Sequence, residues 1–423
     1  MLAFFISFVI LLLIGVPISI SIGSSAIIGC LWLGYPLMVI GQKMISGIDS
    51  FLLIAIPLFV LAGNLMNAGK ITEKIFNFAK ELVGWIPGGL GHANIVASVI
   101  FAGMSGSAAA DAGGLGTIEM EAMTSNGYDA EFSAAVTAAS SVIGPIFPPS
   151  IPLIIYGSIA SVSVSQLFMG GVFPGLIMGL ALMILVYIMA LRRGYPKDRF
   201  NPRALVKQFF ASVLSIITPL IILSGFTLGW FTPTEASSVA VGYALLIAVF
   251  VYHTLDWKTF KTCLLESALT SANTLFIIGA STLFSYVLIK EGVSVTIAGF
   301  ILGISANPTV SLLVINILLL ILGMFMEPGA ILTLMLPVLL PIAHGLNLDM
   351  VHFGIVIVLN LMIGQVTPPF GVCLFIVSDV AKLELNKLYR SILPFLIPLI
   401  IVLFLCTYAS GIVTWLPYRF IAK

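Results

Sequence analysis

The sequence predicts an all-α integral membrane protein built from two inverted repeats, each with a re-entrant helical hairpin and a broken transmembrane helix. Three observations predict this class: the composition, the long apolar segments, and a match between the two halves of the chain. Of the 423 residues, 60% are hydrophobic and 8% are charged, whereas soluble domains carry about 25% charged residues. Most of the surface is therefore expected to face lipid.

Apolar segments near 20 residues long, about the length of one bilayer crossing, recur along the chain. Clear examples run from Leu2 to Ile22, from Val213 to Phe231 and from Ile392 to Tyr408. The first has no basic leader and no small-residue cleavage site, so we expect a retained span and not a signal peptide. The net charge of +1 gives no reason to expect a nucleic-acid partner.

The sequence holds no recognisable catalytic or metal-binding pattern. The cysteines have no paired spacing, so they are expected to be small core residues and not disulfides or ligands; they are Cys30, Cys263, Cys373 and Cys406. The four histidines lack metal-ligand spacing, and no zinc-protease, nucleotide-binding or nucleophile-elbow motif occurs. We therefore expect no enzyme activity and no organic cofactor.

Basic residues cluster in one connection. Six of the sixteen residues from Arg192 to Lys207 are Lys or Arg, which places this loop in the cytoplasm by the positive-inside rule. The inverted geometry then puts the C-terminus in the periplasm. Two segments, Pro202–Ala211 and Lys70–Glu81, are expected to be amphipathic surface helices. They either brace a moving part or serve as simple connectors.

A shift of 220 residues aligns the two halves without gaps over more than 70 positions. Gly144 falls on Gly364, and Pro148-Pro149 falls on Pro368-Pro369. These identities lie on Gly and Pro, where backbone shape is decided. An internal repeat of this kind is typical of secondary transporters.

Each half begins with a segment too interrupted to form one span, 88–126 in the first half and 307–346 in the second. We interpret both as re-entrant helical hairpins. Irregular backbone at membrane depth persists only where protein or water satisfies it. The hairpin tips are therefore expected to line a cavity.

A broken helix follows each hairpin. Adjacent prolines remove the amides that would bond the carbonyls four residues earlier. We expect the carbonyls left without donors to be those of Gly144, Pro145, Gly364 and Gln365. A hard cation ringed by oxygens would offset that loss, and each restarted helix points its positive end at an anion. A proline kink that serves packing alone is the alternative, but the paired occurrence favours function.

Three runs, Gly103–Asp111, Gly144–Pro152 and Gly364–Gly371, resemble the large membrane subunit of tripartite ATP-independent periplasmic (TRAP) transporters. The resemblance implies an elevator-type ion transporter fold in the bacterial inner membrane and sodium-driven uptake without ATP. It also implies carboxylate substrates, sialic acid or four-carbon dicarboxylates. The implied partners are a separate small four-helix membrane subunit and a soluble periplasmic substrate-binding protein, besides the lipid bilayer itself.

The resemblance also implies a division into moving and fixed parts. We expect scaffold helices at 1–87, and the two transport-domain halves at 88–166 and 307–380. Further scaffold helices and the cytoplasmic connector occupy 167–306, and a C-terminal scaffold helix occupies 381–423.

Two sodium sites are expected, one in each half, built mainly from carbonyl and hydroxyl oxygens. The first combines the hairpin tip with the first break, and its residues are Ser105, Ser107, Asp111, Gly144 and Pro149. The second does the same with Gly323, Met326, Gly364, Thr367 and Pro368. Ser150 and Gln365 are expected to meet the substrate.

For the carboxylates in and near the hairpins and breaks, a structural role is the alternative to a role in ion or substrate binding. Asp111 either supplies charge to a cation or caps a hairpin helix, and Glu327 either serves a site or caps the turn that follows it. Asp129 and Asp349 stand at matched helix starts, so N-capping is expected of both.

Three other readings compete. A stand-alone sodium- or proton-coupled carboxylate carrier of related fold would need neither partner. An intramembrane enzyme lacks a nucleophile, base or metal cluster. A channel usually places its pore on a symmetry axis, whereas an inverted repeat suits alternating access.

Overall fold

The computed structural model describes residues 2–227, 229–293, 296–297, 299, 303 and 307–421. The first half contains α1 (Leu2–Leu13), α2 (Ile18–Trp32), α3 (Leu37–Ile48), a 3₁₀ turn (Phe51–Ile54), α4 (Ala55–Ala68), α5 (Ile71–Val83), α6 (Gly89–Ser105), α7 (Ala108–Ala110), a π turn (Asp111–Leu115), α8 (Gly116–Ser125), α9 (Ala130–Ser141), α10 (Ile151–Ala160) and α11 (Val164–Arg193). The second contains α12 (Pro202–Thr227), α13 (Pro233–Leu246), a π turn (Ile247–Val251), α14 (Trp257–Lys290), α15 (Pro308–Phe325), α16 (Pro328–Gly345), α17 (Met350–Gly364), α18 (Val372–Ala381), α19 (Leu385–Tyr408) and α20 (Ser410–Phe420).

Helices account for all the regular secondary structure in the described ranges. Eight of the described helices are long and apolar enough to cross a membrane. The prediction of an all-α integral membrane protein is therefore confirmed. All four cysteines are buried and unbridged, as expected of small core residues.

The predicted single span from Leu2 to Ile22 is wrong. The chain breaks between α1 and α2, where Gly15 has a φ of +83° and Pro17 stands at the N-cap of α2. Glycine tolerates the left-handed backbone, and proline has no amide to continue α1. Apolar character alone does not reveal such a break.

Both predicted hairpins form. In the first, α6 ends at a left-handed Gly106, and the chain returns through a continuous run of α7, the π turn and α8, here called the return helix. In the second, α15 ends at Met326 in an extended conformation, and α16 begins at Pro328. Each hairpin is followed by its broken helix, α9–α10 in the first half and α17–α18 in the second.

The two predicted amphipathic segments pack against each other. The segment Lys70–Glu81 forms most of α5, whereas Pro202–Ala211 is only the first part of the longer α12. The Ser212 hydroxyl donates to the Lys74 carbonyl at 2.8 Å, and the rings of Phe78 and Phe209 lie 6.0 Å apart. Both alternatives, a brace for a moving part and a simple connector, stay predictions.

The helix contacts form two sets, which are joined where α5 packs on α6 and where α14 packs on α16. Helices α2, α3 and α4 lie against α14, and α4 also lies against α13. Helix α11 instead contacts α6, α17, α19 and α20, so by contact it sits with the hairpins and broken helices. The division of the chain into moving and fixed parts stays a prediction.

The two aspartates that start the broken helices behave differently. Asp349 accepts a hydrogen bond from the His352 amide at 2.9 Å, which confirms its N-cap role. Asp129 makes no capping bond; its Oδ2 accepts from Arg193 at 2.9 Å and from the Tyr195 hydroxyl at 2.5 Å. The capping prediction is therefore wrong for Asp129, because the end of α11 supplies stronger donors than the backbone of α9.

The Asp129 contacts stabilise the junction between α9 and the end of α11. Burial and the Asp129 hydrogen bond raise the pKa of Tyr195 to about 12, so the phenol keeps its proton and donates at neutral pH.

We expect Asp129→Asn to lower the free energy of unfolding by about 1 kcal/mol, the upper end for an exposed pair. Thermal unfolding in detergent measures this. Glu384→Gln, which removes an exposed contact with Lys387 of 3.8 Å, is the control; an equal shift in both variants would contradict the assignment.

Candidate functional site

The first hairpin tip packs directly on the first helix break. A Cβ atom built on Gly106 would lie 2.6 Å from the Pro149 carbonyl oxygen, so only glycine fits at this tip. A Cβ atom on Gly144 would lie 3.8 Å from the Ser107 carbonyl oxygen and 3.9 Å from Asp111 Oδ2. The structure thus brings together the residues predicted for the first sodium site, and Ser105 joins them through a 3.5 Å contact from its hydroxyl to the Ser107 amide.

Asp111 is the charged group of this cluster. Its side chain is 1% exposed, and Oδ1 accepts from the Ser98 hydroxyl at 3.5 Å. Oδ2 is buried and has no hydrogen-bond partner in the described part of the chain. Asp111 does not cap the return helix, because the Ser107 side chain accepts from the Ala110 amide at 3.4 Å. An unpaired buried carboxylate oxygen is costly unless a cation or proton balances it.

Three of the four carbonyls predicted to lack donors are satisfied within the breaks. The Pro145 carbonyl accepts from the Ser150 hydroxyl, that of Gly364 from the Thr367 amide at 3.0 Å, and that of Gln365 from the Cys373 amide at 3.2 Å. The prediction considered only the helical donor four residues ahead, whereas tight turns let other donors reach. No backbone hydrogen bond to the Gly144 carbonyl is found within the described residues.

The second hairpin crosses the second broken helix at two glycines. A Cβ atom on Gly364 would lie 2.7 Å from the carbonyl carbon and Cα of Gly323. Beside this crossing, the Gly371 amide donates to the Met324 carbonyl at 3.0 Å, and the rings of Phe325 and Phe370 lie 5.1 Å apart. These contacts fix the second tip to the second break.

The other residues predicted for the second site offer hydroxyl and backbone carbonyl oxygens but no carboxylate. The Thr367 hydroxyl donates to the Ile363 carbonyl at 2.7 Å, which leaves lone pairs free to accept a cation. Met326 packs its side chain on apolar neighbours, so only its backbone oxygen suits sodium. Pro368 is joined to Pro369 by a cis peptide bond.

A cavity of about 500 Å³ lies between the two tips. Hairpin and break residues form one side, including Ser105, Ser107, Glu327 and Gln365, and helices α4 and α14 form the other through Asn64, Thr270 and Thr274. No lysine or arginine lines it within the described ranges. The lining is thus mainly apolar, with a few polar side chains and, among the described residues, no cationic one.

Helix N-termini surround this cavity. The first residues of α10, α16 and α18 line it, namely Ile151, Pro328 and Val372, and so does the start of the return helix at Ala108. Helix N-termini carry partial positive charge and free backbone amides. These N-termini therefore favour an anion, whereas the Glu327 carboxylate in the same wall opposes one.

The predicted substrate residues differ in position. Gln365 lines the cavity, with Oε1 also 3.7 Å from the Cys373 sulfur. Ser150 is fully buried, and its hydroxyl serves the Pro145 carbonyl and the Leu153 amide. Glu327 stands at the N-cap of α16 without a capping bond, so its carboxylate is available to the cavity.

The side of the cavity formed by α4 and α14, here called the far wall, was not predicted from the sequence. Asn64 donates to the Ser267 hydroxyl at 2.9 Å, and Thr270 and Thr274 follow on the same face of α14. The signal was present as polar residues spaced three to four apart inside an apolar span. Their link to the hairpins depends on folding, because the positions are remote in sequence.

The comparisons with known proteins agree with this architecture. The family model of the tripartite ATP-independent periplasmic transporter, DctM component, matches residues 5–412. The chain belongs to the DctM family. Members are transport permeases and not enzymes, and the chain is a multi-pass protein of the bacterial inner membrane.

Three relatives illustrate the range of the DctM family. The sialic acid TRAP transporter large permease SiaM of Vibrio cholerae is 46% identical over 90% of this chain and 89% of its own length. The sialic acid permease SiaT of Haemophilus influenzae is 44% identical over 89% of this chain, which spans 61% of that longer protein. The C4-dicarboxylate large permease DctM of Vibrio cholerae is 35% identical over 96% of this chain and 95% of its own length.

A solved structure shares the fold. The crystal structure of the Alcanivorax borkumensis YdaH transporter matches with a TM-score of 0.60, covering 90% of each chain, at 13% sequence identity. This likeness at low identity shows that the helix arrangement is that of a known transporter fold.

Proposed function

We propose that this DctM-family chain couples an inward sodium gradient to uptake of a carboxylate substrate. The substrate is sialic acid, with a four-carbon dicarboxylate as the alternative. The observation that carries the proposal is one cavity walled by four helix N-termini and flanked by two oxygen-rich breaks. The N-termini suit a carboxylate, and the breaks suit hard cations.

Two features support sodium at the breaks. Near the first break, neither Asp111 Oδ2 nor the Gly144 carbonyl has a hydrogen-bond donor among the described residues. Near the second, the Thr367 hydroxyl keeps free lone pairs beside the Gly323–Gly364 crossing. Cation binding at both places would hold each tip against its break and shape the cavity between them.

The remaining parts of the proposal follow from the family. A periplasmic binding protein delivers the substrate, a small membrane subunit accompanies this chain, and the two halves are inverted repeats. The hairpins and broken helices move as an elevator against the scaffold. The packing of α14 along α2, α3 and α4 supports a scaffold surface on which such movement occurs.

Uptake into proteoliposomes tests the proposal. The chain is reconstituted with its small subunit, and the binding protein and radiolabelled sialic acid are added outside. We expect accumulation with an inward sodium gradient and background uptake when potassium replaces sodium. Succinate competition distinguishes the dicarboxylate alternative. Uptake without the binding protein would instead indicate a stand-alone carrier, and equal uptake in both salts would refute sodium coupling.

Thr367→Ala tests the second break separately. Loss of its hydroxyl oxygen removes one cation ligand, so we expect the sodium concentration for half-maximal uptake to rise about tenfold, the effect of about 1.4 kcal/mol. Thr414→Ala is the control, because that hydroxyl donates to the Ser410 carbonyl at 3.0 Å in an exposed helix. An unchanged sodium dependence in Thr367→Ala would remove this residue from the site.

A further inference from the structure

The interior of the first hairpin holds a second carboxylate that the tip site does not use. Glu119 on α8 is 0% exposed, and neither of its oxygens has a hydrogen-bond partner in the described part of the chain. Asp111 is close enough for its negative charge to oppose that of Glu119. Two buried carboxylates therefore share one hairpin, and no described lysine, arginine or histidine forms an ion pair with either.

Glu119 lies on a defined face of the return helix. A Cβ atom on Gly116 would lie 2.6 Å from Thr137 Cγ2, and the Met123 sulfur lies 3.9 Å from Asn94 Nδ2. Positions 116, 119 and 123 share one helical face. Glu119 therefore points between α6 and α9, toward the pair formed by Asn94 and Thr137.

Polar side chains converge on this interior from all three helices. Asn94 donates to the Thr137 hydroxyl at 2.7 Å and accepts from Ser140 at 2.7 Å. Ser98, one turn beyond Asn94 on α6, donates to Asp111. Hydroxyl and carboxylate oxygens at this density are the ligands that a hard monovalent cation prefers.

We propose that a sodium ion binds inside the first hairpin at Glu119, in addition to the ion at the tip, with the Thr137 and Ser98 hydroxyls as neutral ligands. This inference rests on the proposed function, in which the tip ion balances Asp111. One monovalent ion neutralises one carboxylate, so the tip ion leaves the charge of Glu119 to be balanced by a second cation or by a proton. Two further titratable groups are buried on helices packed here, the Cys373 thiol, which interacts with Asp111, and the His92 ring on α6.

Equilibrium binding of radioactive sodium to the purified chain in detergent at pH 7 tests the inference. Glu119→Gln is expected to bind one sodium ion fewer per chain than the wild type. Glu119→Asp keeps the charge and is expected to bind the full number with about tenfold weaker affinity at one site. The matched control is Glu121→Gln, because Glu121 is exposed on the same helix and its loss should change nothing.

Two outcomes would overturn the inference. If folded Glu119→Gln and Glu119→Asp both bind as much sodium as the wild type, a proton and not a cation neutralises Glu119. If Glu121→Gln loses an ion as well, binding reflects surface charge. Asp111→Asn, at the tip, reports on the proposed function: unchanged sodium binding in Asp111→Asn would refute the tip site, while the stoichiometry of Glu119→Gln is read independently.

Discussion

Gly364→Ala is expected to reduce sodium-driven uptake by about two orders of magnitude, the effect of a misplacement of about 1 Å at a site with strict geometry. The added Cβ would lie 2.7 Å from Gly323 backbone atoms, which cannot rotate away as a side chain can. The crossing of α15 and α17 must therefore widen. The overpacking should also lower the free energy of unfolding by about 1–3 kcal/mol.

Gly411→Ala is the matched control for this prediction. Gly411 also lies in a helix, α20, but a Cβ atom there would meet no heavy atom within 4 Å. Alanine favours helix over glycine by up to about 1 kcal/mol, so this variant should be equally or more stable, with normal uptake. Thermal unfolding and proteoliposome uptake measured on both variants decide the matter. Wild-type uptake in Gly364→Ala would mean that the two helices do not cross this closely.

Asp111→Asn is expected to weaken sodium binding by about 100-fold while leaving the chain folded. The carboxamide has the shape of the carboxylate but no charge, so a cation loses roughly 3 kcal/mol of pairing. In the absence of sodium, the substitution is expected to act on stability, and in the opposite direction. The wild type then carries an unpaired buried oxygen, so Asp111→Asn in potassium chloride should be at least as stable as the wild type.

Thermal unfolding in matched sodium and potassium chloride measures both effects. Asp379→Asn is the control, because Asp379 is exposed on α18 and should leave the sodium-dependent shift intact. A wild-type shift in Asp111→Asn would exclude Asp111 from the ion site. A variant that is less stable in potassium would show instead that Asp111 is a structural residue.

Much of the fold follows from local patterns in the sequence. The long apolar segments predict the membrane helices, because a single segment in lipid can hydrogen-bond all its own backbone groups only as a helix. The Pro148-Pro149 and Pro368-Pro369 pairs locate both breaks, because proline has no amide to donate. Gly106 at the first tip was within the predicted hairpin, and its left-handed φ of +59° is a conformation that glycine adopts readily.

Other features needed contacts that local patterns do not encode. The prediction left the carbonyls of Pro145 and Gln365 without donors, yet Ser150 and Cys373 reach them across the turns. The position of Asp129 at a helix start predicted an N-cap, but its side chain instead accepts a hydrogen bond from Arg193, 64 residues away. In both cases the stronger or closer donor becomes available only once the chain has turned.

The sequence by itself determined the class of protein, the two hairpins and the two breaks. These depend on side-chain polarity and on which residues lack an amide or a Cβ, which are properties of single positions. Only the tertiary structure decided that four helix N-termini enclose one cavity, that α4 and α14 form its far wall, and that Glu119 is buried beside Asp111. These depend on which distant segments pack together, because burial and electrostatic environment are properties of the assembled helices.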